Sequence, residues 1–144
     1  MPPGGYALDL GGKGGAIFNQ AVGSIVPLAS LSVGGSDSAA FLNGGLIKTT
    51  GDQSYNDITL GSDTTLTSQQ GNLNFNGLLP EGAINGTRNL TTNSYLNTEI
   101  NGEVGNNDPL ASLTANITGP GGIYLHGNTV TTTGAQTYNG PLTR

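Results

Sequence analysis

The pentapeptide Pro27-Leu28-Ala29-Ser30-Leu31 returns unchanged as Pro109-Leu110-Ala111-Ser112-Leu113, 82 residues later. The same shift pairs Leu8 with Leu90, Asn19 with Asn101 and Val22-Gly23 with Val104-Gly105. At a shift of 83, Leu42 and Gly44 match Leu125 and Gly127, Thr49-Thr50-Gly51 matches Thr132-Thr133-Gly134, and Gln53 and Tyr55-Asn56 match Gln136 and Tyr138-Asn139. Self-similarity at a fixed period constrains a fold more than any local propensity, because like units stack. The chain therefore reads as one segment, residues 1–144, with a first copy over about 7–88 and a partial second copy over about 89–144.

Within the unit, short apolar segments recur at about 20-residue spacing. Examples are Ala16-Ile17-Phe18, Leu28-Ala29-Ser30-Leu31-Ser32-Val33, Ile58-Thr59-Leu60 and Leu73-Asn74-Phe75. Several alternate apolar with polar, the signature of a half-buried strand. The residues between them tolerate left-handed backbone: Asn43-Gly44-Gly45, Asn76-Gly77, Asn85-Gly86, Asn101-Gly102 and Asn139-Gly140. Asn-Gly between apolar runs is also the strongest hairpin signal, so a β-sandwich competes. A sandwich does not call for a collinear 82-residue repeat, whereas stacked turns of a solenoid do. The pattern thus favours an all-β, right-handed parallel β-helix of about seven coils of about 20 residues, four coils to the unit. No segment shows helical periodicity over three turns.

The expected core is Leu8, Ile17, Val22, Leu28, Leu31, Val33, Phe41, Ile47, Ile58, Leu60, Leu66, Leu73 and Phe75 from the first copy. The second copy adds Leu90, Ile100, Val104, Leu110, Leu113, Ile123, Leu125, Val130 and Leu142. Residues 79–88 read as a loop bulging from a coil. Asparagines at corners are expected to bond in ladders from coil to coil.

Composition narrows the function. Charged residues are 9% of the chain, and nine acids against four bases leave a net charge of −5. That argues against nucleic acid, which calls for clustered Lys and Arg. Hydrophobic residues make up 34%, which suits a thin apolar core under a skin of hydroxyls and amides. There is no cysteine, as is compatible with export in an unfolded state. No apolar run approaches the ~20 residues of a membrane span, so no membrane insertion is expected. Met1-Pro2-Pro3-Gly4-Gly5 lacks the basic and apolar regions of a signal peptide. The expectation is a processed chain or an internal piece of a longer one, whose ends stack on further solenoid or on identical chains.

Candidate chemistry is sparse. His126, the one histidine, stands where the first copy has Asn43 and reads as an exposed turn residue, so neither a Ser–His–Asp triad nor a zinc site is expected. The acids Asp9, Asp37, Asp52, Asp57, Asp63, Glu81, Glu99, Glu103 and Asp108 are scattered. Asp52 and Asp57 might be imagined meeting around a turn, as a polysaccharide-cleaving β-helix enzyme would need, but their repeat partners are Ala135 and Gly140. Gly11-Gly12-Lys13-Gly14-Gly15 has neither the serial Asp of calcium-binding repeats nor the Lys-Ser/Thr of a phosphate loop and reads as a corner. The clusters Thr64-Thr65-Leu66-Thr67 and Thr131-Thr132-Thr133 return only every fourth coil or so, too rarely for a water-ordering threonine face. They read as exposed strand. Asn-x-Ser/Thr at Asn85, Asn89 and Asn116 follows from composition. No catalytic, cofactor-binding or metal-binding residue is assigned.

Three phrases carry a resemblance: Val130-Thr131-Thr132-Thr133-Gly134-Ala135-Gln136-Thr137-Tyr138-Asn139-Gly140; Tyr55-Asn56-Asp57-Ile58-Thr59-Leu60-Gly61-Ser62-Asp63-Thr64-Thr65-Leu66-Thr67-Ser68; and Pro109-Leu110-Ala111-Ser112-Leu113-Thr114. They resemble the repeat arrays of filamentous-haemagglutinin-like and autotransporter-type adhesins, along nearly the whole chain. The resemblance implies a right-handed β-helix, type V export, a place on or outside a bacterial cell and no catalytic residues. Host or surface glycans would be bound by parts outside this chain. Two alternatives stand beside an adhesin shaft: a self-assembling fibre subunit stacking head to tail, and a β-helix enzyme acting on polysaccharide.

Overall fold

The computed structural model describes residues 5–12, 14–34, 39–77 and 82–144. Among them the chain forms sixteen short strands and no helix. Every strand pairing is parallel, which excludes the hairpin sandwich. The chain winds as a β-solenoid of about six turns, each passing through three faces in a fixed order.

Face A stacks β1 (Ala7–Leu10), β3 (Ser30–Val33), β6 (Gln53–Tyr55), β9 (Leu73–Phe75), β12 (Thr98–Ile100), β14 (Ile123–Leu125) and β16 (Leu142–Thr143). Face B stacks β2 (Ala16–Phe18), β4 (Ala39–Leu42), β7 (Asp57–Leu60) and β10 (Ile84–Asn85), and single bridges carry it on through Val104 and Val130. Face C stacks β5 (Leu46–Thr49), β8 (Thr64–Ser68), β11 (Asn89–Ser94), β13 (Ser112–Ile117) and β15 (Gln136–Asn139), with Val22 and Leu28 bridging to β5 below. One interior column of face A runs Leu8, Leu31, Gln53, Leu73, Thr98, Ile123, Leu142. Its steps are 23, 22, 20, 25, 25 and 19 residues. The turns are thus somewhat longer than the expected 20, and the seventh coil is represented on face A alone. Six steps at about 4.8 Å make a stack about 29 Å tall.

The sequence repeat and the turns of the solenoid are out of step. Leu8 on face A has its repeat partner, Leu90, on face C. Leu31 on face A corresponds to Leu113 on face C, Leu42 on face B to Leu125 on face A, and Gln53 on face A to Gln136 on face C. Each pair is eleven faces apart. The 82-residue unit therefore spans three and two-thirds turns, where the sequence suggests four. The same phrase, Pro-Leu-Ala-Ser-Leu, leads onto face A in the first copy and onto face C in the second. The three faces are interchangeable hosts for one pattern.

The core occupies the lumen. Most of the expected members are buried, from Leu31 and Val33 through Phe75 to Ile123 and Leu125. Each such side chain contributes about 1.5–3 kcal/mol when fully buried. Leu8, Val22, Leu28 and Val130 are half-buried against it. Three expected members lie outside. Ile17 (65% exposed) and Phe41 (41%) are register partners on the outer side of face B. Alternation in β4 turns Ala40 and Leu42 inward, which leaves Phe41 out. The run Ala39-Ala40-Phe41-Leu42 has no polar residue to reveal that phase. Leu142 (44%) continues an interior column but sits on the outermost described coil. The expected 79–88 loop is corrected in part. Residues 79–81 lie outside the described residues, but Ala83 and Ile84 are fully buried and β10 pairs with β7.

Candidate functional site

The most developed side-chain arrangement is a polar corner built by Thr49-x-Gly51-x-Gln53-x-Tyr55, where face C turns into face A. Gln53 Nε2 donates to the Ile47 carbonyl at 3.2 Å, to Thr49 Oγ1 at 3.3 Å and to the Thr67 carbonyl of the next coil at 2.9 Å. Tyr55 donates its hydroxyl to Gln53 Oε1 at 2.7 Å. Thr49 donates to the Gly51 carbonyl at 2.6 Å. Gln53 and Tyr55 are fully buried. Burial holds the Tyr55 hydroxyl protonated far above its usual range. The Tyr55 ring stacks on Phe75 one coil on, centroids 5.7 Å apart. Gln53 satisfies carbonyls that turn inward at the corner, which would otherwise be buried without partners.

The corner recurs in the second copy, on a different pair of faces. Gln136 Nε2 donates to the Val130 carbonyl at 3.0 Å and to Thr132 Oγ1 at 3.4 Å. Tyr138 donates to Gln136 Oε1 at 2.8 Å, and Thr132 to the Gly134 carbonyl at 2.8 Å. Here the residues lie on the outermost described coil, and Gln136 is exposed. The Gln–Tyr spacing is present in the repeat, but sequence reasoning did not read it as a buried network, because Gln at a core position looks like surface.

The outer side of face C corrects the reading of the threonines. Register places Thr65, Thr91, Thr114 and Thr137 in one column, one per coil. Two residues along each strand, Thr67, Asn93, Asn116 and Asn139 form a second column. Asn139 Nδ2 donates to Asn116 Oδ1 at 2.7 Å, and Asn116 Nδ2 to Asn93 Oδ1 at 2.8 Å. The threonines come from dissimilar local phrases at unequal spacings, so no sequence period announced them. An asparagine step at a corner is seen in Asn43, which donates to Asn19 at 3.0 Å.

The acids do not converge as a pair around one turn. Asp52 and Asp57 stand at opposite ends of β6. Asp52 Oδ1 accepts from the Asn72 amide at 2.7 Å and from its side chain at 3.2 Å. Asp57 opens β7 and is buried. It borders a cleft of about 220 Å³ on face B, shared with Ala39, Phe41, Thr59, Asn85 and Asp108. That volume is below the range of ordinary small-molecule pockets. Asp63 Oδ1 accepts from the Asn89 amide at 3.0 Å. Hydrogen bonds from the Asn89 backbone and side chain hold its carboxyl below the usual range. His126 follows β14, is exposed, and stacks on Tyr124 with centroids 6.4 Å apart. Among the described residues no three His, Cys, Asp or Glu gather as metal ligands.

The fold and these ladders define the class: a parallel β-solenoid whose polar side chains serve coil-to-coil stacking. A scan against protein-family models, a search of curated proteins and a search of solved structures each find no match.

Proposed function

We propose that this chain is a structural β-solenoid segment of a bacterial secreted or cell-surface protein of the adhesin type, with no catalytic role. The observation that carries the reading is the use of polar groups. Gln53, Thr49, Tyr55 and the Asn93–Asn116–Asn139 series bond to neighbouring coils or to their own corner. Side chains spent on stacking serve to extend a rod, and a rod's function is reach and display. The resemblance of the repeat phrases to adhesin arrays supports the extracellular placing and type V-like export. Antibodies against the folded chain should label intact cells of the source bacterium. Labelling only after lysis would overturn the placing. Release of reducing ends from a panel of bacterial and plant polysaccharides would overturn the non-catalytic assignment.

A second reading, a fibre subunit stacking head to tail, is favoured by one specific observation: both terminal coils leave half-covered the positions that the same sequence unit buries completely inside the rod.

A further inference from the structure

The repeat supplies its own control for each end of the stack. In the first coil, Leu8, Leu10, Phe18, Val22 and Leu28 are half-buried. Their repeat partners at a shift of 82 are Leu90, Thr92, Ile100, Val104 and Leu110, and each of these is buried beneath a further coil on both sides. At the other end, Gln136 and Tyr138 correspond to Gln53 and Tyr55. Inside the rod, Gln53 sends two donors to the next coil: its backbone N–H to the Asn72 carbonyl at 3.0 Å, and Nε2 to the Thr67 carbonyl at 2.9 Å. Gln136 keeps the within-corner bonds of the motif. Among the described residues no coil lies beyond it to receive those two donors.

A further difference is confined to the first coil. Ile25 (94% exposed) and Val26 stand beside its bridges at Val22 and Leu28. Their repeat partners within the rod are Asn107 and Asp108. Apolar residues thus replace polar ones at the loop nearest the uncovered end, which marks a surface that gains from being covered.

We propose that the coil bearing Gln136 and Tyr138 docks onto the first coil of a second copy of this chain, in parallel register and head to tail, with Gln136 as the latch. The proposal rests on the fibre reading and adds its partner, polarity and contact residues. One occupant completes both ends at once. Its first coil supplies inward carbonyls for Gln136 Nε2, as the coil of Thr67 does for Gln53. The outgoing end supplies the strand edge that the first coil lacks. The acceptor is a backbone carbonyl, and the three faces host the same pattern interchangeably, so the docking demands no special side chain. Such a contact is heterologous and does not close on itself, so it propagates into a filament.

Sedimentation velocity of the 144-residue chain, from micromolar to submillimolar concentration, tests this. The mass should climb without a plateau. Gln136→Ala should weaken association about tenfold and leave the strand signal in circular dichroism unchanged. Two end-blocked variants test polarity. Gln136→Pro removes the outgoing N–H. Asp9→Pro does the same for the first coil, because the Tyr6 and Leu10 carbonyls accept from Ala29 and Gly34 and the Asp9 amide, by alternation, points away from the stack. Each should be monomeric alone, and their mixture should give dimers and stop there. A wild-type chain that melts cooperatively yet stays monomeric at every concentration would overturn the docking and leave the structural-segment reading standing. Association unaffected by Gln136→Ala, with no dimer from the mixed variants, would overturn the latch while leaving the fibre reading in place.

Discussion

Gln53 and Gln136 occupy one motif in two settings, and the difference fixes what each is worth. Removing the buried Gln53 side chain orphans the Ile47 and Thr67 carbonyls and the Tyr55 hydroxyl. Gln53→Ala should cost about 3 kcal/mol in chemical denaturation. Gln136→Ala, at an exposed corner, should cost under about 1 kcal/mol in dilute solution, where chains are apart. Thr92 gives the opposite sign. Its Oγ1 is buried with no hydrogen-bond partner, and its repeat partner is Leu10. Thr92→Val should therefore stabilise by about 1 kcal/mol, read as a higher melting temperature. Asp63 links stability to pH. Its carboxyl is held below the usual range by Asn89, so its contribution is complete above the ordinary carboxylate range and is lost as pH falls through the folded-state value. The melting-temperature gap between wild type and Asp63→Asn should shrink between about pH 5 and pH 3. Much of the core was legible at this scale, since Leu, Ile and Val at alternating positions point inward. The buried Gln, Thr and Tyr were not, because residue type alone does not show that a corner brings carbonyls inside.

Strands and corners divide the work of the fold. The Asn-Gly phrases announced the corners correctly, and each follows or closes a strand. Local chemistry could not tell a corner from a hairpin. Only the collinear repeat favoured parallel stacking. Phase within a strand was legible where polar residues alternate, as in Ser30–Val33, and illegible in β4, where all four residues are apolar. The face-by-face rotation of the repeat was hidden because unequal corners make turns of 19 to 25 residues. Corner geometry can be tested at Gly105, which has φ +71° and repeats Gly23 at +76°. A Cβ at Gly105 would overlap the Thr131 carbonyl oxygen and crowd Pro109. Gly105→Ala should cost at least about 2 kcal/mol. Gly11 has nothing within 4 Å of a built Cβ. Gly11→Ala should be neutral or stabilise by about 0.5 kcal/mol through the unfolded chain. Both are read by equilibrium unfolding.

Across the whole molecule, one interior carries three interchangeable faces. A motif in one copy reappears a face away in the next, so the rod shows each surface phrase on more than one side. Stability in such a stack comes from neighbouring coils, and an end coil is the least supported. The central claim is the parallel, coil-upon-coil register, and engineered disulfides test it most directly because the chain has no cysteine of its own. Ser32 faces Ser54 on face A, and Thr91 faces Thr114 on face C. Neighbouring strands at about 4.8 Å lie within the Cα separation a disulfide accepts. Ser32→Cys with Ser54→Cys, and Thr91→Cys with Thr114→Cys, should each oxidise within the folded monomer. Thr114→Cys with His126→Cys, the pair that a hairpin of β13 and β14 would bring together, should stay reduced. Ready closure of that third pair, with the first two left open, would contradict the solenoid.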